Sequence, residues 1–196
     1  MANLPNILTS IRILLVPILV VVLLTKFDGK EFVGLALFLL AALTDFLDGY
    51  FARRFNLVTR FGQLLDPAAD KILIAAAFVS LVELDPSVTP SWMVVAILAR
   101  EFAVNALRSH AALEQVVIPA GLSGKIKTGA QIIAISLLII YNKLGEFSHL
   151  APISLWVAVI VTLYSGADYF VRYWRRLSSS AGGARPPSSP QPPANA

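Results

Sequence analysis

Residues 45–70, DFLDGYFARRFNLVTRFGQLLDPAAD, carry four of the chain's seven aspartates, with Arg53, Arg54 and Arg60 between the two pairs. Asp45 and Asp48 are spaced i,i+3 and Asp66 and Asp70 i,i+4, so each pair projects from one face of a helix. Apolar runs flank the stretch on both sides, which makes it the end of one helix and the start of the next, a hairpin able to bring the pairs together. Four carboxylates held close repel one another and take up protons unless a cation neutralises them. Oxygen-only ligands favour Mg²⁺, Mn²⁺ or Ca²⁺ over Zn²⁺, and Mg²⁺ combines a few carboxylates with waters and phosphate oxygens. Four carboxylates have room for two ions, an arrangement that clamps a phosphate undergoing displacement. Gly49 and Ala52 keep the Asp48 face small, and the planar fork of Arg53 suits a pair of phosphate oxygens. Gly62 eases entry into the second helix, and Pro67 falls in its first turns, where a missing N–H costs least. The competing reading makes Asp48 and Asp66 juxtamembrane ion-pair partners of Arg53, Arg54 and Arg60. Four acids at helical spacing around one hairpin favour the metal site.

Outward from the hairpin, the 196 residues are 57% hydrophobic and 14% charged, with a mean hydropathy of +0.72. A soluble domain needs a more polar surface than that. Apolar runs of spanning length, at about 20 residues per crossing, recur at about 7–26, 31–52, 63–83, 91–111, 122–142 and 151–174. The expected fold is therefore all-α, a polytopic membrane protein of six transmembrane helices. No small-residue cleavage site follows the first run, which reads as a retained span rather than a signal. The chain contains no cysteine, so thiol catalysis, disulfides and thiolate metal sites are excluded. A net charge of +4 fits membrane topology and anionic lipid, and no nucleic-acid partner is expected.

Six spans leave both termini on one side. Arg53, Arg54, Arg60, Arg108, Lys125, Lys127, Arg172, Arg175 and Arg176 gather at that side, against Lys26, Lys30 and Lys143 with several acids at the other. The positive-inside rule then makes both termini and the aspartate hairpin cytoplasmic, in a multi-pass protein of the inner membrane. Trp92, Trp156 and Trp174 fall at expected span ends, where an indole prefers the headgroup level. Residues 1–176 form the membrane domain; residues 177–196, rich in Ser, Pro, Gly and Ala, read as a disordered tail.

The pattern DxxDGxxAR, eight residues, GxxxDxxxD, carried by Asp45, Asp48, Gly49, Ala52, Arg53, Gly62, Asp66 and Asp70, resembles the signature of the CDP-alcohol phosphatidyltransferase family at every position. The resemblance extends over residues 3–176. It implies that family's six-helix fold, a homodimer, and attack of an alcohol on the β-phosphorus of CDP-diacylglycerol with release of CMP. It further implies that Asp45, Asp48, Asp66 and Asp70 ligate a pair of Mg²⁺ or Mn²⁺ ions, with Asp70 also the general base. Gly49, Ala52, Arg53 and Thr59 match positions lining the CDP-diacylglycerol site. PNILTSIR, residues 5–12, resembles the family's nucleotide contact through Asn6 and Thr9, with Arg12 left open. The alternative for this stripe is a capping Asn followed by interfacial residues.

Arg100 and Arg108 on the fourth span and Lys125 and Lys127 at the start of the fifth could gather beside the hairpin and bind the phosphate of a phosphorylated acceptor. Alternatively, Arg100 pairs with Glu101, and the other three obey the positive-inside rule. LAREFAVNALR at 98–108 and SGKIKTGAQ at 123–131 resemble the branch of the family whose acceptor is sn-glycerol 3-phosphate. Inositol phosphate is the alternative acceptor, and a cation transporter with a carboxylate ion site the more remote reading. His110 and His149 lie at span ends and in no HxK pattern, which argues against a covalent histidine intermediate. Asp168 is placed to pair with Arg172 at i+4 or to support the pocket from the periphery.

Overall fold

In a computed structural model the backbone is described for residues 4–55, 60–113 and 122–182, and side chains for 10–44, 68–113 and 123–176. Six α-helices follow one another: α1 (Leu4–Leu24), α2 (Lys30–Phe55), α3 (Arg60–Leu84), α4 (Ser91–Leu113), α5 (Leu122–Ile139) and α6 (Leu150–Gly182). There is no strand among the described residues. The number and order of helices match the sequence expectation. α5 stops at Ile139, and its expected last turn is replaced by two 3-10 turns, Tyr141–Lys143 and Gly145–His149. α6 runs past Trp174 through Ser178, Ser179 and Ser180 to Gly182, into the segment expected to be tail; residues 183–196 lie outside the described residues.

Among the described residues one helix, running with its leading turn from Gly145 to Arg176, is long and apolar enough by itself to cross a membrane. The described apolar part of α1, Ser10–Leu24, is shorter. The connections are short and locally closed. Gly29, with φ of 81°, makes the α1–α2 turn, and Lys30 donates from Nζ to the Leu23 carbonyl at 3.1 Å, covering the end of α1. Between α3 and α4 the Asp85 carboxylate accepts hydrogen bonds from the Ser87 hydroxyl and from the backbone N–H groups of Ser87 and Val88. Those bonds, the hydroxyl's foremost, hold the Asp85 carboxyl below the usual carboxylate range.

α1 packs against both α2 and α3, and α6 against both α4 and α5, giving two three-helix groups that meet through α2–α5, α3–α4 and α3–α5. The α1–α2 approach is close because Gly34 has no side chain: a Cβ there would lie 2.6 Å from Leu23 Cδ2. Among the described side chains the main core joins all six helices, with Leu19, Leu23, Phe38, Phe78, Leu81, Ile97, Ile135 and Leu155 toward the end bearing the α1–α2 and α3–α4 turns. Trp92 and Trp156 meet edge to face at this end, 5.5 Å between centroids, while Trp174 stacks with Phe170 near the other. All three indoles are about half exposed or more, as belt residues should be. The opposite end, where α2 hands over to α3, holds a cavity lined mainly by polar and charged residues.

Candidate active site

α3 brings Asp70 to the wall of a cavity of about 630 Å³. α4 supplies Arg100, Glu101, Asn105 and Arg108 to the same cavity, α5 supplies Ser123, Lys125, Lys127 and Thr128, and α6 supplies Ser165, Asp168, Tyr169 and Arg172. A smaller pocket adjoins it, where Asp70 and Lys71 share walls with Glu101, Lys127 and Gln131. The expected general base and all four expected acceptor-phosphate residues thus line one space. Of the four expected metal ligands, only the Asp70 side chain is described.

Asp45, Asp48, Gly49, Ala52 and Arg53 lie on α2, Asp66 on α3, and Asn6 and Thr9 on α1. Their side chains lie outside the described residues, and Thr59 falls wholly outside them. Arg12, left open by the sequence, is completely buried. A guanidinium taken fully from water has to be compensated by partners, so Arg12 is not an ordinary interfacial residue.

The four acceptor-site cations separate into two kinds. Lys127 is buried and donates to both oxygens of Glu101, at 2.7 Å each. Arg100 donates to Glu101 Oε1 at 3.2 Å and to the Ser165 hydroxyl at 2.8 Å. Gln131 donates to Glu101 Oε1 and to the Thr162 hydroxyl, both at 3.2 Å. One buried carboxylate therefore ties α4 to α5, and through Gln131 and Arg100 to α6. The pairing of Arg100 with Glu101 that the sequence allowed is present, and Lys127 shares it. Arg100 reaches Ser165 by lying across Gly166, where a Cβ would come within 2.8 Å of its Cγ.

Arg108 and Lys125, by contrast, are exposed and have no carboxylate partner among the described residues. The Arg108 guanidinium sits over the Tyr169 ring, 5.7 Å from its centroid, a cation–π contact that holds it at the cavity wall without neutralising it. At the outer edge Arg172 forms a two-point pair with Asp168, as expected at i+4, and Ser123 donates to Asp168 Oδ2 at 2.9 Å. Ser123, Asp168 and Arg172 also line a groove of about 360 Å³ on the far side, with Ile126, Val161 and Tyr164. His110 Nδ1 lies 2.9 Å from the Tyr173 hydroxyl and His149 Nδ1 lies 3.0 Å from the Glu146 carbonyl, and neither histidine lines the cavity.

The sequence does not by itself single out Gln131, Thr162, Ser165 or Tyr169; the signal it offers is that Gln131 and Thr162 are polar residues next to the apolar stretches of α5 and α6.

Known proteins agree with the geometry. Residues 2–164 match the model of the family described as CDP-alcohol phosphatidyltransferase. A Bacillus subtilis protein named CDP-diacylglycerol--glycerol-3-phosphate 3-phosphatidyltransferase is 46% identical over 195 residues, covering 92% of this chain and 100% of that protein. A Rickettsia typhi protein of the same name is 39% identical, covering 87% of this chain and 96% of its own length. A Mycobacterium tuberculosis protein named probable phosphatidylglycerophosphate synthase is 37% identical over 191 residues, 96% of this chain and 88% of that protein. The signature spacing, a cavity shared by Asp70 and the cations, and matches spanning nearly the whole chain converge: this chain belongs to the CDP-alcohol phosphatidyltransferase family.

Proposed function

We propose that the chain transfers the phosphatidyl group of CDP-diacylglycerol to sn-glycerol 3-phosphate, yielding phosphatidylglycerophosphate and CMP. The observation that carries this reading is the cavity in which Asp70 faces Arg108 and Lys125, two cations without carboxylate partners among the described residues. A phosphorylated alcohol supplies a negative charge for these cations and a hydroxyl for Asp70. The acceptor oxygen bonds to the phosphorus carrying the diacylglycerol, its proton passes to Asp70, and the bond from that phosphorus to the CMP oxygen breaks. Inositol phosphate would meet the same cations; the names of the relatives favour glycerol 3-phosphate. Membership of a transferase family removes the ground for a cation transporter.

Asp45, Asp48, Asp66 and Asp70 would hold two Mg²⁺ or Mn²⁺ ions. The fit rests on an all-oxygen donor set, on the packing of α2 against α3, each bearing two aspartates at helical spacing, and on Asp70 lining the cavity. When bound, such ions neutralise charge on the pyrophosphate. Asn6, Thr9, Gly49, Ala52, Arg53 and Thr59 are assigned to CDP-diacylglycerol by the signature resemblance.

All six helices are proposed to cross the inner membrane, with both termini and the cavity cytoplasmic. In support, large apolar side chains are exposed on every helix, including Leu14, Phe32, Val79, Val95, Ile133 and Ile160. The basic residues Arg108, Lys125, Arg175 and Arg176 share the cavity end. The working unit is a homodimer, as the family resemblance implies, and mass measurement in nanodiscs tests it.

The purified protein, given CDP-diacylglycerol, Mg²⁺ and each acceptor separately, should release CMP with glycerol 3-phosphate and not with inositol phosphate or serine. Absence of CMP with every acceptor, from protein that retains its helical circular dichroism, would overturn the assignment. Arg108→Ala should raise the KM for glycerol 3-phosphate about tenfold with little change in kcat, since it removes a contact made equally in ground and transition states. A kcat loss at unchanged KM would place Arg108 elsewhere in the reaction.

A further inference from the structure

We propose that Glu101 is a positioning residue for the acceptor site, acting through Lys127. An ammonium carries three donors. Glu101 takes two of them at 2.7 Å, one on each carboxylate oxygen, which leaves the third for the cavity that Lys127 lines. A lysine stem has four rotatable bonds and no preferred direction of its own. Lys127 is aimed because Glu101 is itself immobile: buried, and held from a second side by Gln131, which is anchored in turn on Thr162 of α6. Arg100 depends on Glu101 less, since its shorter contact is with Ser165.

The arrangement divides the labour among the cavity's cations. Arg108 and Lys125 at the exposed side attract the acceptor phosphate, and Lys127, fixed beside Asp70, sets how deep it sits. Depth matters because the hydroxyl has to reach both Asp70 and the donor phosphorus, and a small misplacement of reacting groups costs rate steeply.

The inference rests on the transferase reading above and is tested by steady-state kinetics on the full chain in lipid nanodiscs. Glu101→Gln keeps the shape and the oxygen that accepts from Gln131 but weakens the hold on Lys127. It should raise the KM for glycerol 3-phosphate about tenfold and leave the KM for CDP-diacylglycerol within about twofold. A purely architectural role would lower the active fraction, and hence apparent kcat, with both KM values unchanged. Lys127→Met should raise the acceptor KM at least as much, and the double variant Glu101→Gln, Lys127→Met should be no worse than Lys127→Met alone, because Arg100 keeps its shorter contact with Ser165 when Glu101 is changed, and Lys127 is the cation that Glu101 aims. Should Glu101→Gln fail to fold, Glu101→Asp, which keeps the charge but shortens the reach, should raise the acceptor KM in the same way. An unchanged acceptor KM in the foldable Glu101 variant, or effects that multiply in the double variant, would overturn the inference while wild-type turnover leaves the transferase reading standing. Wild-type protein that releases no CMP would overturn the transferase reading first.

Discussion

Asp70→Asn is expected to lower CMP release from CDP-diacylglycerol and glycerol 3-phosphate by about 10⁴-fold while the protein still folds and extracts from membranes as wild type. The amide is nearly isosteric with the carboxylate, so the shape of the side chain at the cavity wall is preserved. What disappears is the proton acceptor and one negative charge in a cavity that also contains Lys71 and Lys127. Loss of a general base alone costs about 10²–10⁴-fold, and the same carboxylate is assigned to the metal site, so the upper end applies. Single-turnover CMP release at saturating substrates measures it. Turnover near the wild-type rate would refute both roles given to Asp70.

Phe78→Ala should have the largest effect on stability and little on chemistry. Phe78 is fully buried in the main core and lies eight residues, about 12 Å of helix, from Asp70. In a soluble core the truncation would cost about 3–5 kcal/mol. Within a membrane the transfer component shrinks, because lipid is as apolar as the protein interior; what remains is lost dispersion contact and the cavity left behind. A loss of about 2–3 kcal/mol is expected, read as a lowered midpoint in unfolding by sodium dodecyl sulfate, with kcat per folded molecule within about twofold of wild type. A large kcat loss at unchanged stability would show that the far end of the bundle reaches the chemistry.

The difference between these two variants tracks what the sequence could disclose. Helix positions were legible because apolar runs and polar turns have no other explanation in a chain this hydrophobic, and the placing of the aspartates at the end of α2 and the start of α3 followed from the same runs. The Asp168–Arg172 pair was readable because its spacing is local. The Glu101 network was not. Lys127 and Gln131 lie 26 and 30 residues away from Glu101, and Ser165 lies 65 from Arg100. Helical periodicity says which residues share a face, and nothing in it says which neighbour that face meets. Sequence therefore supplied four cations, and only packing separated Arg108 and Lys125 from the two that share a buried counter-charge. Helix lengths were harder at the ends: α5 stops at Ile139 and gives way to two 3-10 turns, the second opening at Gly145 with a positive φ of 55°, although the apolar run continues through Ile140.

The Glu101 cluster also has a bearing on heat resistance. It works as a keystone: one buried carboxylate holds α4 to α5 through Lys127 and Gln131, and Arg100 and Gln131 carry the tie to α6. Gln131→Leu fills the same space but leaves Glu101 and Thr162 each short of a donor. Activity should accordingly be lost on brief heating at a lower temperature than in wild type, and an unchanged midpoint would show that the tie between these helices carries no stability.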